Sequence, residues 1–85
     1  MKLPRSLGGK ELVGLLASYG YTVTHQTGSH LRLTSTLRGA KHHITIPKHT
    51  PLRVGTLESI LKDVASYLGI EKHRLIDRLF PRSLA

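Results

Sequence analysis

The fold turns on the stretch YTVTHQTGSHLRLT, residues 21–34. Its first half alternates Tyr21, Val23 and His25 against Thr22, Thr24 and Gln26, with the β-branched and aromatic content of a strand. Thr27 and Gly28 read as a turn. Alternation then resumes, with Leu31 and Leu33 on one face and His30, Arg32 and Thr34 on the other. Two strands joined this tightly run antiparallel, and each has a single apolar face. The sheet they begin is therefore expected to carry helices on one side and to stay open to solvent on the other, with His30, Arg32 and Thr34 on the open face or its rim.

Working outward, Leu12, Leu15, Leu16 and Tyr19 form one stripe of a helix from about Gly9 to Tyr19, stopped by Gly20. Downstream, LRGAK is a loop around Gly39. HHITIP is a third strand that turns Ile44 and Ile46 inward and ends at Pro47, which has no ladder donor. A basic loop, PKHTPLRVG, leads to a second helix with Thr56 as the expected N-cap and Leu57, Ile60, Leu61, Val64 and Leu68 as its stripe. Gly69 breaks it, and a short third helix over about 70–80 is expected before Pro81. The order is α-β-β-β-α with an added C-terminal helix, an α+β fold built on a three-stranded antiparallel meander. Residues 1–85 are expected to form one domain, with a core over about 8–68 and a helical extension over about 70–80.

Thirteen Lys and Arg against five Asp and Glu give a formal charge of +8 before any histidine is counted. So strong a positive field in a small domain points to a polyanionic partner, either nucleic acid or an acidic protein. Cysteine is absent, which excludes disulfides, thiolate metal sites and cysteine nucleophiles. Asparagine is also absent, and there is one Gln and one Met, a composition poor in thermolabile side chains. No apolar run approaches the roughly 18–20 residues of a membrane span, and MKLPRSLGG lacks the apolar centre of a signal peptide. An intracellular, cytoplasmic protein is expected.

Six histidines, His25, His30, His42, His43, His49 and His73, raise the question of a metal site. The spacing argues against one: no helical His pair with metal-ligand spacing occurs, and adjacent His42 and His43 must point to opposite faces of a strand. His25, His42 and His73 suit a polar surface. His30 differs in its setting, because Gly28 lets a substrate backbone come close and Ser29 can orient a phosphate. Positive charge from Arg32, Arg38, Lys41, Lys48 and Arg53 would disfavour an imidazolium there, leaving a ring able to take a proton from an RNA 2′-hydroxyl. The plain alternative is that His30 is only a turn residue. Lys48, His49 and Arg53 likewise read either as phosphate contacts ahead of a helix N-terminus or as a solvated connection. Tyr19 and Tyr21 fall on apolar stripes and are expected in the core, while Tyr67 suits the surface.

Two motifs taken together, GSHLRL after a helix and strand and then ITIPKH with a short spacer before GTLESILKD, resemble the HicA toxin family (also called YcfA-like) of bacterial toxin-antitoxin systems. GGKELVGLLASYGYTVTHQTGSH fits the same pattern, so the resemblance spans roughly Gly8 to Val64. It implies a double-stranded-RNA-binding-like fold, messenger RNA cleavage, a catalytic histidine at His30 and neutralisation by a HicB-type antitoxin. On that reading the chain is a metal-independent endoribonuclease without a cofactor. His30 is the general base, Gly28 and Ser29 shape its approach, and Arg32, Lys41, Lys48, His49 and Arg53 hold substrate. DNA is contacted only indirectly, through the antitoxin complex. His49 or water would serve as general acid. A non-catalytic RNA-binding module of the same fold is the chief alternative, and a corepressor acting only in the antitoxin complex is a third reading. The family often follows G-S-H with a second histidine and then an aromatic; here those places hold Leu31 and Leu33, and the C-terminal segment is longer than usual.

Overall fold

The computed structural model describes residues 3–81. Helix α1 (Gly9–Leu16) continues through a 3-10 turn (Ala17–Tyr19) into strands β1 (Thr22–Thr27), β2 (His30–Ser35) and β3 (His42–Pro47), followed by helices α2 (Val54–Leu68) and α3 (Lys72–Leu79). The strands form one antiparallel sheet in the order β1-β2-β3.

Period-two alternation builds the core. Leu31 lies opposite Ile46 and Leu33 opposite Ile44, so four aliphatic side chains share one face of the sheet. Leu12 and Leu16 of α1 and Leu57, Leu61 and Val64 of α2 are buried in the same cluster. Leu75, Ile76 and Leu79 of α3 join it, and a partly exposed ion pair from Lys72 to Glu58 (3.0 Å) ties α3 to α2. The pair is open to solvent, so the apolar stripe is what holds α3 in place.

Helix α1 and helix α2 stop by the same device. Gly20 (φ 83°) and Gly69 (φ 73°) take the left-handed conformation, and the following amides, of Tyr21 and Ile70, reach back to the carbonyls of Leu16 and Ala65. At its start, α1 is pressed against the end of β3. The Gly9 N–H donates to the His49 carbonyl at 2.9 Å, and the Gly8 N–H to Glu11 Oε1 at 2.8 Å.

Three boundaries depart from the sequence reading. The α-helical part of α1 ends at Leu16, and Ala17–Tyr19 tightens to a 3-10 turn on its way into Gly20. Helix α2 begins at Val54, with Arg53 rather than Thr56 at the N-cap and no side-chain cap. The Leu57 N–H already bonds the Arg53 carbonyl at 2.9 Å, while buried Leu52 is anchored through its N–H to the Leu7 carbonyl at 2.8 Å. Packing of Leu52 and Leu57 thus sets the helix start, and the capping preference of threonine is overridden. Helix α3 is shorter than 70–80, because Ile70 is spent in the turn that closes α2.

Aromatic packing also corrects the surface assignments of His42 and Tyr67. The two rings stack at 4.7 Å between centroids, and buried Tyr21 meets both edge-on, its hydroxyl 2.6 Å from His42 Nδ1. The Tyr67 hydroxyl accepts from the Arg38 N–H (2.9 Å) and donates to the Ala40 carbonyl (2.6 Å), pinning the β2–β3 loop to α2. Burial pushes the Tyr21 hydroxyl above its ordinary pKa, with Tyr67 and Asp63 adding to the effect. The folded state therefore holds this proton more tightly than the unfolded chain. The stability it contributes is complete below about pH 10, the ordinary tyrosine value, and is lost as the pH climbs above it. Urea midpoints measured from about pH 8 to 11 are expected to fall more steeply above pH 10 in the wild type than in Tyr21→Phe; parallel curves would exclude the linkage.

Candidate functional site

The site begins at the β1–β2 turn. Gly28 has φ 52°, whereas no other residue type among those described has positive φ, so Ser29 follows with negative φ. This is the pattern of a two-residue type II′ hairpin, whose first central position favours glycine. A Cβ at Gly28 would meet nothing within 4 Å, so backbone conformation rather than crowding selects glycine here. The turn sets Thr27 opposite His30.

His30 opens β2 on the side away from Leu31, exposed to solvent, with no protein hydrogen-bond partner for its ring among the described residues. Pro47 lies opposite it on β3. The Lys48 N–H donates to the Ser29 carbonyl at 2.7 Å, and the His49 carbonyl holds the start of α1. Gly28, Ser29, His30, Lys48 and His49 are thereby gathered at one end of the molecule. Arg53 stands further along, at the N-cap of α2.

Arg32 and Lys41 are not part of that end cluster. They line an open groove of about 430 Å³ on the solvent face of the sheet, together with Thr24, His25, Thr34 and His43. Two features that build this groove were missed in the sequence. His43 could have been found by parity, since Ile44 and Ile46 face inward and their neighbour must face out. His25 could not. The β1–β2 register shifts between Val23 and His25, so that Val23 pairs with Leu33 and His25 with Arg32. This bulge breaks the simple alternation of Tyr21, Val23 and His25 and turns Thr24 and His25 together toward the open face. Beyond it the edge strand keeps no buried residue, and even Val23 is 44% exposed.

The groove is rich in donors and free of carboxylates. Thr24 Oγ1 and Thr34 Oγ1 lie 2.8 Å apart, and Thr34 Oγ1 lies 2.8 Å from His43 Nδ1. Among the described residues neither Arg32 nor Lys41 makes an ion pair. Among the described residues, no three His, Cys, Asp or Glu side chains converge as a metal would require, and no helix is long and apolar enough to cross a membrane.

A family model for the HicA toxin of bacterial toxin-antitoxin systems matches residues 9–65, well over half of the chain. This chain belongs to the HicA toxin family. No curated protein matches it, and no solved structure does. Three antiparallel strands in an open sheet with helices on one face are the α+β, double-stranded-RNA-binding-like architecture of HicA toxins. The match takes in His30, the groove and most of α2, and α3 lies outside it.

Proposed function

We propose that this HicA-family chain is the RNA-cleaving member of its toxin-antitoxin pair, with His30 as general base. The observation that carries the reading is the position of His30, exposed at the hairpin end of an open, cationic sheet face with no partner for its ring among the described residues. A ring so placed can accept the proton of an RNA 2′-hydroxyl, and the oxygen can then attack the adjacent phosphorus. A 2′,3′-cyclic phosphate forms as the bond to the 5′-oxygen breaks, and that oxygen takes a proton from His49 or water. Lys48 beside the turn neutralises charge growing on the phosphoryl oxygens, with Arg32, Lys41, His49 and Arg53 holding flanking phosphates. Gly28 and Ser29 keep the approach to His30 low. No metal or cofactor enters this scheme.

One catalytic unit is proposed, with a core over about 8–68 and an extension over about 70–80. It acts in the cytoplasm, is neutralised by an acidic HicB-like protein, and meets DNA only through that complex. The scheme requires products with 2′,3′-cyclic phosphate and 5′-hydroxyl ends. Purified chain incubated with end-labelled RNA in the presence of a chelator is expected to yield these ends. Products bearing 5′-phosphates, or cleavage abolished by the chelator, would contradict it.

A further inference from the structure

Beyond the hairpin end, the sheet departs from regular pairing at the bulge in β1, and what the bulge accomplishes is the groove. An edge strand with unbroken alternation would send Thr24 and His25 to opposite faces. The bulge delivers both to the face where Arg32, Thr34, Lys41 and His43 already stand. Hydrogen bonds link the side chains inside the groove. Thr24 Oγ1 donates to the Arg32 carbonyl at 3.4 Å, and a carbonyl can only accept. The Thr24 and Thr34 hydroxyls share a hydrogen bond, and the Thr34 hydroxyl shares another with His43 Nδ1. This relay holds the His43 ring by Nδ1 and leaves Nε2 without a protein partner among the described residues of the groove.

We infer that the groove is a nucleotide subsite that selects ribose: Arg32 and Lys41 hold a phosphate, and His43 Nε2 hydrogen-bonds the adjoining 2′-hydroxyl. The chemistry follows from what lines it. Two cations that make no ion pair among the described residues attract a phosphodiester, and an imidazole nitrogen held beside them distinguishes a ribose hydroxyl from the hydrogen of deoxyribose. His25, across from Arg32 on β1, closes the near side. The position is distinct from that of His30. Arg32 is two residues and Thr34, opposite His43, four residues along β2, which at about 3.3 Å per residue puts His43 about 13 Å from the hairpin end. The subsite therefore engages a nucleotide removed from the bond being cut, and a single RNA strand lies across the sheet face parallel to β2.

The subsite rests on the RNA-cleavage reading for its biological sense, but its test separates the two. His43 is exposed and its replacement by Ala leaves the core untouched. Fluorescence-anisotropy titrations of wild type and His43→Ala are made with a short RNA and with DNA of the same sequence, alongside cleavage rates on a long RNA and on a dinucleotide. Wild type is expected to prefer RNA. The variant should bind RNA about tenfold more weakly, with its affinity for DNA unchanged. In cleavage, KM should rise for the long RNA with kcat kept, and the dinucleotide, too short to reach His43, should be cut as by wild type. Equal losses on RNA and DNA, or equal losses on the long and short substrates, would overturn the ribose assignment. Unchanged RNA affinity with weaker binding of the antitoxin would make the groove a protein contact and overturn the subsite. Binding of RNA by wild type without any cleavage would refute the nuclease reading alone and leave the subsite standing.

Discussion

Replacing His30 by Ala is expected to lower RNA cleavage by about 10²- to 10⁴-fold, the usual contribution of a positioned general base. The fold should not notice the change. The side chain is exposed, its ring has no protein partner among the described residues, and the hairpin is set by Gly28 and by the inward leucines of β2. Thermal stability should therefore stay within about 0.5 kcal/mol of wild type. RNA affinity should also persist, because the cations that hold phosphate remain. A chain that binds RNA, folds normally and no longer cuts or arrests growth would assign the chemistry to His30. If His30→Ala cuts RNA or arrests growth as wild type does, the protein acts by binding alone or through another group.

The largest expected effect on stability comes from Gly9→Ala. A methyl group at Gly9 would overlap the Pro47 carbonyl oxygen and would also lie 3.1 Å from the Pro47 carbonyl carbon and 3.2 Å from Lys48 Cα. Every one of these obstacles is backbone, so none can rotate away. To make room, α1 must lift from the end of β3, lengthening the bond from the Gly9 N–H to the His49 carbonyl and loosening Leu12 and Leu16. The cost is about 3 kcal/mol, or a fall in melting temperature on the order of 15 °C for a domain of this size. Gly14→Ala supplies the control. Gly14 is in the same helix, yet a Cβ there meets nothing within 4 Å, so alanine should raise stability by about 0.5–1 kcal/mol. Melting curves followed by circular dichroism would decide it, and a neutral Gly9→Ala would mean that α1 does not pack so closely on β3.

The family pattern contains a difference that strand parity now explains. The place where relatives often carry a second histidine holds Leu31, which is 5% exposed and lies opposite Ile46 on the apolar face. It points away from His30. A leucine there removes no group from beside the proposed base and adds to the core, so this departure weighs less against the function than adjacency in sequence suggests.

What was legible in the chain was legible for local reasons. Leu31, Leu33, Ile44 and Ile46 alternate strictly, which is enough to choose the buried face of β2 and β3 and hence the outward direction of His30, Arg32 and His43. Gly20, Gly28 and Gly69 stand where the chain must take positive φ, and each marks the end of an element. The charge of +8 needs no fold to be counted. His42 shows the opposite case. Nothing near it in sequence suggests that it is sandwiched with Tyr21 and Tyr67, residues that come from β1's approach and from α2.

The sequence by itself therefore determined the order of elements, the inward face of the sheet, the tight hairpin and the family, because each depends on periodicity or on a conformation available to few residue types. Only the tertiary structure decided that α2 starts at Val54, that His42 is half-buried, and that Thr24 and His25 share the open face with Arg32, Lys41 and His43. The physical reason is the same in each instance. A bulge is a mismatch between two strands, a helix start can be chosen by distant packing, and a stacked ring needs its partner, so none of them is a property of the segment in which it appears.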